Sequence, residues 1–517
     1  MARHLGYAGV ALTAVLATAC GSTVPSATTT STTGLSGGLA NNGTATQSTG
    51  GTSPTTTPSG TTQSASGLAT QIAVASSTAG SNSTGPASEA SSQTTGMSLS
   101  GRGYDAKHVY IGFPTQTDAS SAAKGLGLVG LNFGDQVGEI RAAIAMVNRR
   151  GGILGRQAIP VFYDIKTASL QTDPETAAQA ACTAFTQDTP VAAVVNLVAG
   201  IDRDTFYACL KNRGVPAATG GYIAFDDTTM RAFSPYVYHI GVASYDAVIP
   251  TWLTRLKVLG YFSGWDTTAG GPGAAPVKIG LLYAKQQPQA RIAATLRAAL
   301  VQRGYTIAAE VAYDGSTLDT TTRGMAAAVL PFHSAGVTHI FTLDSAVLPF
   351  MLAAENQHYR PRYALNTYHG TGAALQGNVA AQLVGSMGIG WAPTSDVDSG
   401  HDPGSVGTAA AACAKAMRDG GVDVRSRSAL WVAMMFCDGV SLFAAAANAG
   451  GGFTAAAIHT GVSRLTGRFP SATVFNPSGL SDTRLFLASR TRDFAWSTAC
   501  SCFTYGKGVA QLASNSQ

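Results

Sequence analysis

Short apolar strands alternate with segments of helical period over roughly the last 410 residues of this 517-residue chain, and the alternation runs through two successive series. A single hydrophobic core seldom grows past about 250–300 residues, so that length implies two cores. The expected architecture is α/β, with two doubly wound lobes, each built on a parallel sheet covered by helices on both faces.

The first series opens with the strand HVYIGF (108–113). DQVGEIRAAIAMVNRR (135–150) places apolar residues at helical spacing and stops at Gly151-Gly152. The strand AIPVFYD (158–164), a helix from Pro174 to Phe185, the strand VAAVVNL (191–197), a helix through Cys209 and the strand VPAAT (215–219) complete one lobe. After YVYHIGVAS the second series begins with a helix around TWLTRLKVLG. The strand VKIGLLYA (277–284), the helix ARIAATLRAALVQRG, the strand TIAAEVAY, the helix TTRGMAAAVLPFHSAG, the strand THIFTLD (338–344), the helix VLPFMLAAENQHY and the strand RYALNT follow in turn. Both series feed their strand C-termini into loops rich in Thr, Ser, Gly and Asp. In open sheets of this kind, ligands sit outside the carboxyl ends of the strands.

The chain ahead of these lobes has a different physics. Arg3 and His4 precede an almost wholly apolar run, residues 5–19, which is too short to span a bilayer and reads as a signal. Leu16-Ala17-Thr18-Ala19-Cys20 resembles a bacterial lipobox, with Ala17 where Leu is more usual. Residues 1–20 are therefore expected to form a lipoprotein signal peptide, with Cys20 acylated and holding the protein to the outer face of the cell membrane; an ordinary secretory signal is the alternative. Residues 21–100 contain no aromatic residue, no Lys or Arg, and one acid, Glu89. They cannot bury a core, and the stretch 21–104 is expected to be a disordered Ser/Thr/Gly-rich tether spanning about 50 Å.

Six cysteines follow Cys20: Cys182, Cys209, Cys413, Cys437, Cys500 and Cys502. An even number in an exported chain favours disulfides, and six cysteines allow fifteen connectivities. Cys182 and Cys209 lie in the helices flanking the strand VAAVVN, where a bridge is geometrically feasible. Cys413 and Cys437 occupy consecutive predicted helices. Cys500 and Cys502 would then pair with each other or reach elsewhere.

Several functions are disfavoured. A net charge of +5 without any basic run argues against nucleic acid. No CxxC or HExxH spacing offers a metal site, and the helical pair Met434-Met435 suits a core. Gly125, Gly127 and Gly130 spell the dinucleotide fingerprint, yet they lie a dozen residues beyond their strand and no acid follows twenty residues on. No G-x-S-x-G elbow exists, and His239, His358 and His369 have no nucleophile and acid at a recognisable spacing. The chain is not expected to be an enzyme or to carry a cofactor.

The run from Gly138 to Asp164 resembles the first helix and second strand of the type I periplasmic binding proteins of the leucine, isoleucine and valine-binding family, with Asn148, Gly151, Gly152 and Gly155 at that family's Asn-x-x-Gly-Gly-x-x-Gly link. VAAVVNLVAG, Gly214-Val215-Pro216, AKQQ (284–287), SALWVAMMFCDGVSLFAAAANAG and TGRFPSATVFNPSGLSDTRLFLASRTRDFAW extend the similarity, in order, over about residues 105–510. The resemblance implies two lobes joined by hinge crossings, lobe one at 105–243 with 396–470 and lobe two at 244–395 with 471–512. It also implies a monomer that closes on a small-molecule solute and presents it to the permease of an ABC importer.

In that arrangement the first-lobe wall comprises Thr115, Gln116, Thr117 and Asp118, then Ala199 and Gly200 with the start of the 202–213 helix, then Thr219, Gly220 and Tyr222; the second-lobe wall comprises Lys285 to Pro288, including Gln286, and Leu343, Asp344 and Ser345. Asp118 and Asp344 could hold an amine or cap a helix, and Tyr222 could close over a ligand. Amino-acid binders of the family carry a Ser or Thr cluster, a Tyr and an acid where this chain has Ala199-Gly200, Pro288 and Ala346, so an amino acid, an amide or a related polar compound is expected. A sensor of the same fold that signals to a partner protein is the alternative, and a hydrolase hidden in the cleft a weaker one.

Overall fold

The computed structural model describes residues 100–125, 131–220, 223–264, 273, 276–343, 347–375, 377–401 and 407–513. The leader, Cys20, the tether up to residue 99, most of the glycine motif at 125–130, Tyr222, Asp344 and Ser345 lie outside them.

In the first series, β1 (His108–Thr115) is followed by α1 (Ala119–Gly125) and α2 (Gln136–Arg149), β2 (Gln157–Asp164) by α3 (Thr167–Thr172) and α4 (Pro174–Thr183), β3 (Ala193–Asn196) by α5 (Asp204–Asn212), and β4 (Ala217–Thr219) by α6 (Asp227–Phe233), before β5 (Val237–His239). All five strands are parallel, in the order β2-β1-β3-β4-β5. The link between α2 and β2 shows why its residues are what they are. Asn148 donates its side-chain amide to the Ala158 carbonyl and accepts from the Ala158 N–H, tying helix end to strand start. Gly151, Gly152 and Gly155 have φ of +99°, +72° and +76°, and a Cβ on Gly152 would lie 2.0 Å from the Arg156 carbonyl oxygen.

The second series runs α7 (Tyr245–Val258), β6 (Ile279–Ala284), α8 (Gln289–Gln302), β7 (Ile307–Tyr313), α9 (Leu318–Ala327), α10 (Val329–Ser334), β8 (His339–Thr342), α11 (Val347–Asn356), β9 (Arg362–Asn366) and β10 (Met387–Gly390). The strand order β7-β6-β8-β9-β10 repeats that of the first sheet. The sheet is not wholly parallel: β11 (Arg490–Ser497) pairs antiparallel to β10, and β12 (Cys502–Gln511) antiparallel to β11, which adds a hairpin at the edge.

Between β10 and β11 the chain returns to the first sheet through α12 (Pro393–Asp396), α13 (Gly407–Asp419), α14 (Arg427–Gly450) and α15 (Ala455–Arg464). α14 is long and apolar enough to cross a membrane, but 83% of its apolar window is buried inside the protein, against α2, β3 and α15. Its approach to β3 depends on Gly439, where a Cβ would stand 2.6 Å from Val195 Cγ1. Met434 and Met435 are core residues of this helix.

The chain thus passes between the sheets three times, and each passage is tied by a buried carboxylate. At the first, Ser244 Oγ donates to Asp227 Oδ1 at 2.5 Å. At the second, Asp396 Oδ2 accepts from Thr367 Oγ1, the Ala392 N–H and the Tyr505 hydroxyl at 3.0, 3.0 and 2.6 Å. At the third, Asp438 on α14 accepts from Ser471 Oγ and from the N–H groups of Ala472 and Thr473. Beyond it, Leu485 to Leu487 pair with His239 at the edge of the first sheet before the chain enters β11.

The sulfur atoms of Cys182 and Cys209, of Cys413 and Cys437, and of Cys500 and Cys502 are joined in the structure, with Cα separations of 6.3, 6.0 and 5.1 Å.

Candidate functional site

Strand order 2-1-3-4-5 puts a crevice where the winding direction reverses, between the adjacent strands that are first and third in chain order. Both sheets have one, outside β1 and β3 and outside β6 and β8. A cavity of about 310 Å³ lies between the lobes, within the range of small-molecule sites. Its first-lobe side comes from the start of α4, the start of α5 and the segment after β4; its second-lobe side comes from the loops after β6 and β7.

The apolar floor is Ile223, Ala224, Phe225 and Phe233, with the Phe225 ring stacked on His239 at 3.6 Å between centroids. Burial drops the His239 pKa to about 3, so this imidazole is a neutral, flat packing surface.

The first-lobe rim is acidic. Asp202 Oδ1 accepts from the Tyr207 hydroxyl at 2.5 Å and from Thr219 Oγ1 at 3.0 Å, while Asn196 Nδ2 donates to the Tyr207 oxygen at 3.1 Å. Burial pushes Asp202 up to about 6 against those hydrogen bonds. Arg203 donates from Nε to the Gly200 carbonyl and from Nη1 to Glu175, which also accepts from Thr205 Oγ1. Although partly desolvated, Glu175 is held below its ordinary value by these two donors. Asp204, on the first turn of α5, is pushed above its ordinary value by desolvation and by Asp226 and Glu175, with Arg291 pulling the other way. Among the described residues it accepts no side-chain hydrogen bond.

On the second-lobe side, Gln286 Nε2 donates to Asp314 Oδ1 and Gln286 Oε1 accepts from the Gly315 N–H, which fixes the β6 and β7 loops to each other. Arg291 reaches across to Asp226 of the first lobe, and its Nη1 donates to Gln287 Oε1 at 3.0 Å. Arg203, which lines the cavity, and Arg291 beside it are therefore each matched by a carboxylate, and among the described lining residues Glu175, Asp202 and Asp204 outnumber Arg203, so the rim is negative.

Of the residues expected from sequence, Gln286 lines this cavity, as do its neighbours Gln287 and Pro288, and so does the start of the 202–213 helix. Thr219 is one layer behind, bonded to Asp202. Gly200 supports Arg203 through its carbonyl, and Ala199 lies in the same turn. Gly220 packs over Met435, where a Cβ would meet the sulfur at 2.6 Å. Thr115, Gln116, Thr117 and Asp118 form a separate network: Thr115 and Thr117 donate to Asp164, Gln116 donates to Thr167, and Asp118 accepts from Thr167 N–H and Oγ1, capping α3. Sequence reasoning missed Glu175, on the first turn of α4, and Ser316, in the loop after β7, because each follows the second strand of its series. His369 is engaged by Thr342 and by the Asn366 N–H, inside the core.

Residues 127–484 match the sequence profile of a family described as periplasmic binding protein. No curated protein matches the chain in sequence. Among solved structures, a solute-binding protein of an ABC transporter from Rhodopseudomonas palustris in complex with p-hydroxybenzoic acid superposes with a TM-score of 0.57 at 14% identity, over 78% of this chain and 98% of that one. A possible leucine/isoleucine/valine-binding protein from Rhodopirellula baltica gives 0.53 at 14% identity, over 79% and 97%. A branched-chain amino acid transporter substrate-binding protein from Streptococcus pneumoniae in complex with isoleucine gives 0.50 at 16% identity, over 78% and 99%.

Proposed function

The chain belongs to the periplasmic binding protein family, and from that membership we propose that it captures a small polar solute between its lobes, outside the cytoplasm, and delivers it to the permease of an ABC importer. The observation that carries this reading is the cavity itself: Asp202, Arg203, Asp204 and Phe225 of one lobe face Gln286, Gln287 and Ser316 of the other across about 310 Å³. A solute touching both walls binds the closed arrangement better than the open one and drives closure by that difference. No covalent step is required of the protein.

The lobes are taken as 105–243 with 396–470 and 244–395 with 471–512, and the passages around 243–245, 391–396 and 471–489 as the hinge. The protein acts as a monomer, held to the membrane by lipid on Cys20 and lifted from it by the tether. The three cystine pairs form in the oxidising compartment that such an exported chain enters.

The neighbours crystallised with isoleucine or p-hydroxybenzoic acid hold carboxylate ligands. Here Arg203 and Arg291 are occupied by Glu175 and Asp226, while Asp204 has no such partner. The solute that fits is an amine or an amide, with an apolar part to lie on Phe225. A thermal-shift screen of amines, amides, amino acids and aromatic acids tests this, since a ligand at 100 times its Kd adds about 2.7 kcal/mol. A chain that no small solute stabilises, at any concentration used, would rule the binding role out.

A further inference from the structure

The three cystines differ in kind. Cys182–Cys209 and Cys413–Cys437 join helices 27 and 24 residues apart in sequence, whereas Cys500 and Cys502 are two apart, at the tip of the β11–β12 hairpin. In the loop-entropy model a cross-link stabilises more as the logarithm of the loop that it closes grows, so one spanning a single residue adds about 1.5 kcal/mol, less than half of what either longer bridge supplies. Its presence calls for a chemical reason. The residue between the two cysteines, Ser501, is held at a φ of +49°, in the left-handed region that non-glycine residues seldom occupy. Cys500 is exposed and Cys502 buried, so a thiolate can attack the pair at the Cys500 sulfur, whereas Cys182, Cys413 and Cys437 are buried and Cys209 is only partly exposed.

A third group stands beside this pair. His401, exposed on the turn Ser399–His401 about a hundred residues earlier in the chain, places a ring nitrogen within 4.8 Å of both sulfurs. The turn lies just past the second passage between the sheets and against β12, so an imidazole from that segment meets two sulfurs from the edge of the second sheet.

We propose that the hairpin tip is a redox-gated site for a thiophilic d10 cation such as Zn²⁺, closed as the cystine and open as the dithiol. Opening requires an external thiol reductant: the S–S bond takes up two electrons and two protons, and two thiol groups of the reductant are joined as its own disulfide. The cation then displaces the two thiol protons and is held by two thiolates and the neutral His401 ring, with water in the fourth tetrahedral position. Two thiolates balance the charge of a divalent ion, and the soft donor set disfavours Mg²⁺ and Ca²⁺.

The test uses the full mature chain, treated with a limiting dithiol until two thiols per molecule are titratable, then with Zn²⁺ alone, and with Co²⁺ as the spectroscopic reporter. Alkylation with mass mapping is expected to find Cys500 and Cys502 modified first. One Zn²⁺ should bind per reduced chain, with two protons released and a thiolate-to-metal charge-transfer band in the Co²⁺ form. The untreated chain and the C500S/C502S double variant should bind none. H401Q, at an exposed position that leaves folding intact, should weaken Zn²⁺ binding at least tenfold while leaving the rate of reduction unchanged. Alkylation at the buried pairs first, no Zn²⁺ uptake after reduction, or equal uptake by H401Q would each overturn the proposal.

Discussion

Arg291 on α8 grips Asp226 at the start of α6 through two parallel hydrogen bonds, Nε to Oδ2 at 2.7 Å and Nη2 to Oδ1 at 3.0 Å, and thereby ties the second lobe to the first beside the cavity. Asp226 is buried and also caps α6 through the Thr229 N–H, while the Arg291 side chain is 39% exposed. Solvent screening of the exposed partner limits the worth of the pair to about 1 kcal/mol. As a pair that bridges the lobes, it is expected to favour the arrangement in which they meet.

Arg291→Gln is therefore expected to lower solute affinity about fivefold, the factor that about 1 kcal/mol represents, with unfolding stability changed less. Asp226→Asn would mix this effect with the weakened cap and is the poorer probe. Titration calorimetry on the two single variants and the double variant measures the coupling. A coupling energy of zero would remove the latch from the account of closure.

The charge left over in the cleft leads to a second expectation. Asp204→Asn removes the rim carboxylate that, among the described residues, accepts no side-chain hydrogen bond, at an exposed position that tolerates the change. An amine solute should then bind about fivefold more weakly and with a flatter dependence on salt. An amide solute should lose little. Unchanged affinity and unchanged salt dependence for an amine would locate its ammonium group elsewhere.

Elements with unbroken apolar runs could be read from the sequence because burial on both faces of a parallel sheet leaves little room for polar residues. The strands β1 to β4 and β6 to β9 and the helix that Asp135 caps belong to this class, and the glycine link after Asn148 was legible as a family pattern. β10 could not be read: Met-Gly-Ile-Gly has neither β-branched density nor alternation, and a Cβ on its Gly388 would lie 1.7 Å from the Leu365 carbonyl oxygen, so closeness to β9 selects the glycine. β5 is three residues long and gives no period at all. At the site, the loop glutamine Gln286 and the start of α5 were legible from their places after strands. Glu175 was not, since the pairing that brings it there is with Arg203, 28 residues away.

Stability should fall as the solution becomes alkaline, and one residue is expected to dominate the fall. Glu139, wholly buried on the first turn of α2 and with no hydrogen-bond partner for either oxygen among the described residues, is raised by desolvation and by Asp135 to about 9. A carboxyl raised in the folded state contributes stability that is complete below its unfolded pKa and is lost as pH climbs through the folded one. Asp202, Asp396 and Asp438, raised by burial to about 6, 7 and 6, act in the same direction at lower pH. There they are opposed by His239, His339 and His369, which burial lowers to about 3, 4 and 4, so that the folded chain binds fewer protons at these positions. Above about pH 7.5 the histidines are neutral in both states and Glu139 is the acid that still holds an extra proton. The slope is about 1.4 kcal/mol lost per pH unit near pH 7.5 and falls to about half of that at pH 9. Urea unfolding at intervals between about pH 7.5 and 9 should show this decline, and Glu139→Gln, which keeps the shape and removes the titration, should flatten it. An unaltered slope in the variant would assign the decline to other groups.

The cystines allow an internal comparison of loop length. Closing 27 residues between Cys182 and Cys209, or 24 between Cys413 and Cys437, restricts the unfolded chain by about 3.5 kcal/mol in the entropy model. Both join helices of the first lobe, α4 to α5 and α13 to α14, close to the Arg203–Glu175 pair and to the α14 core respectively. Replacing either pair by two serines should thus cost roughly 3 kcal/mol in chemical denaturation, and loss of Cys182–Cys209 should also loosen the first-lobe wall of the cleft and weaken solute binding. The same double replacement at Cys500 and Cys502 should cost less than half as much, about 1.5 kcal/mol at most. If the hairpin-tip pair proved as costly as the other two, loop entropy would not be what separates them, and a purely structural role for that tip would have to be accepted.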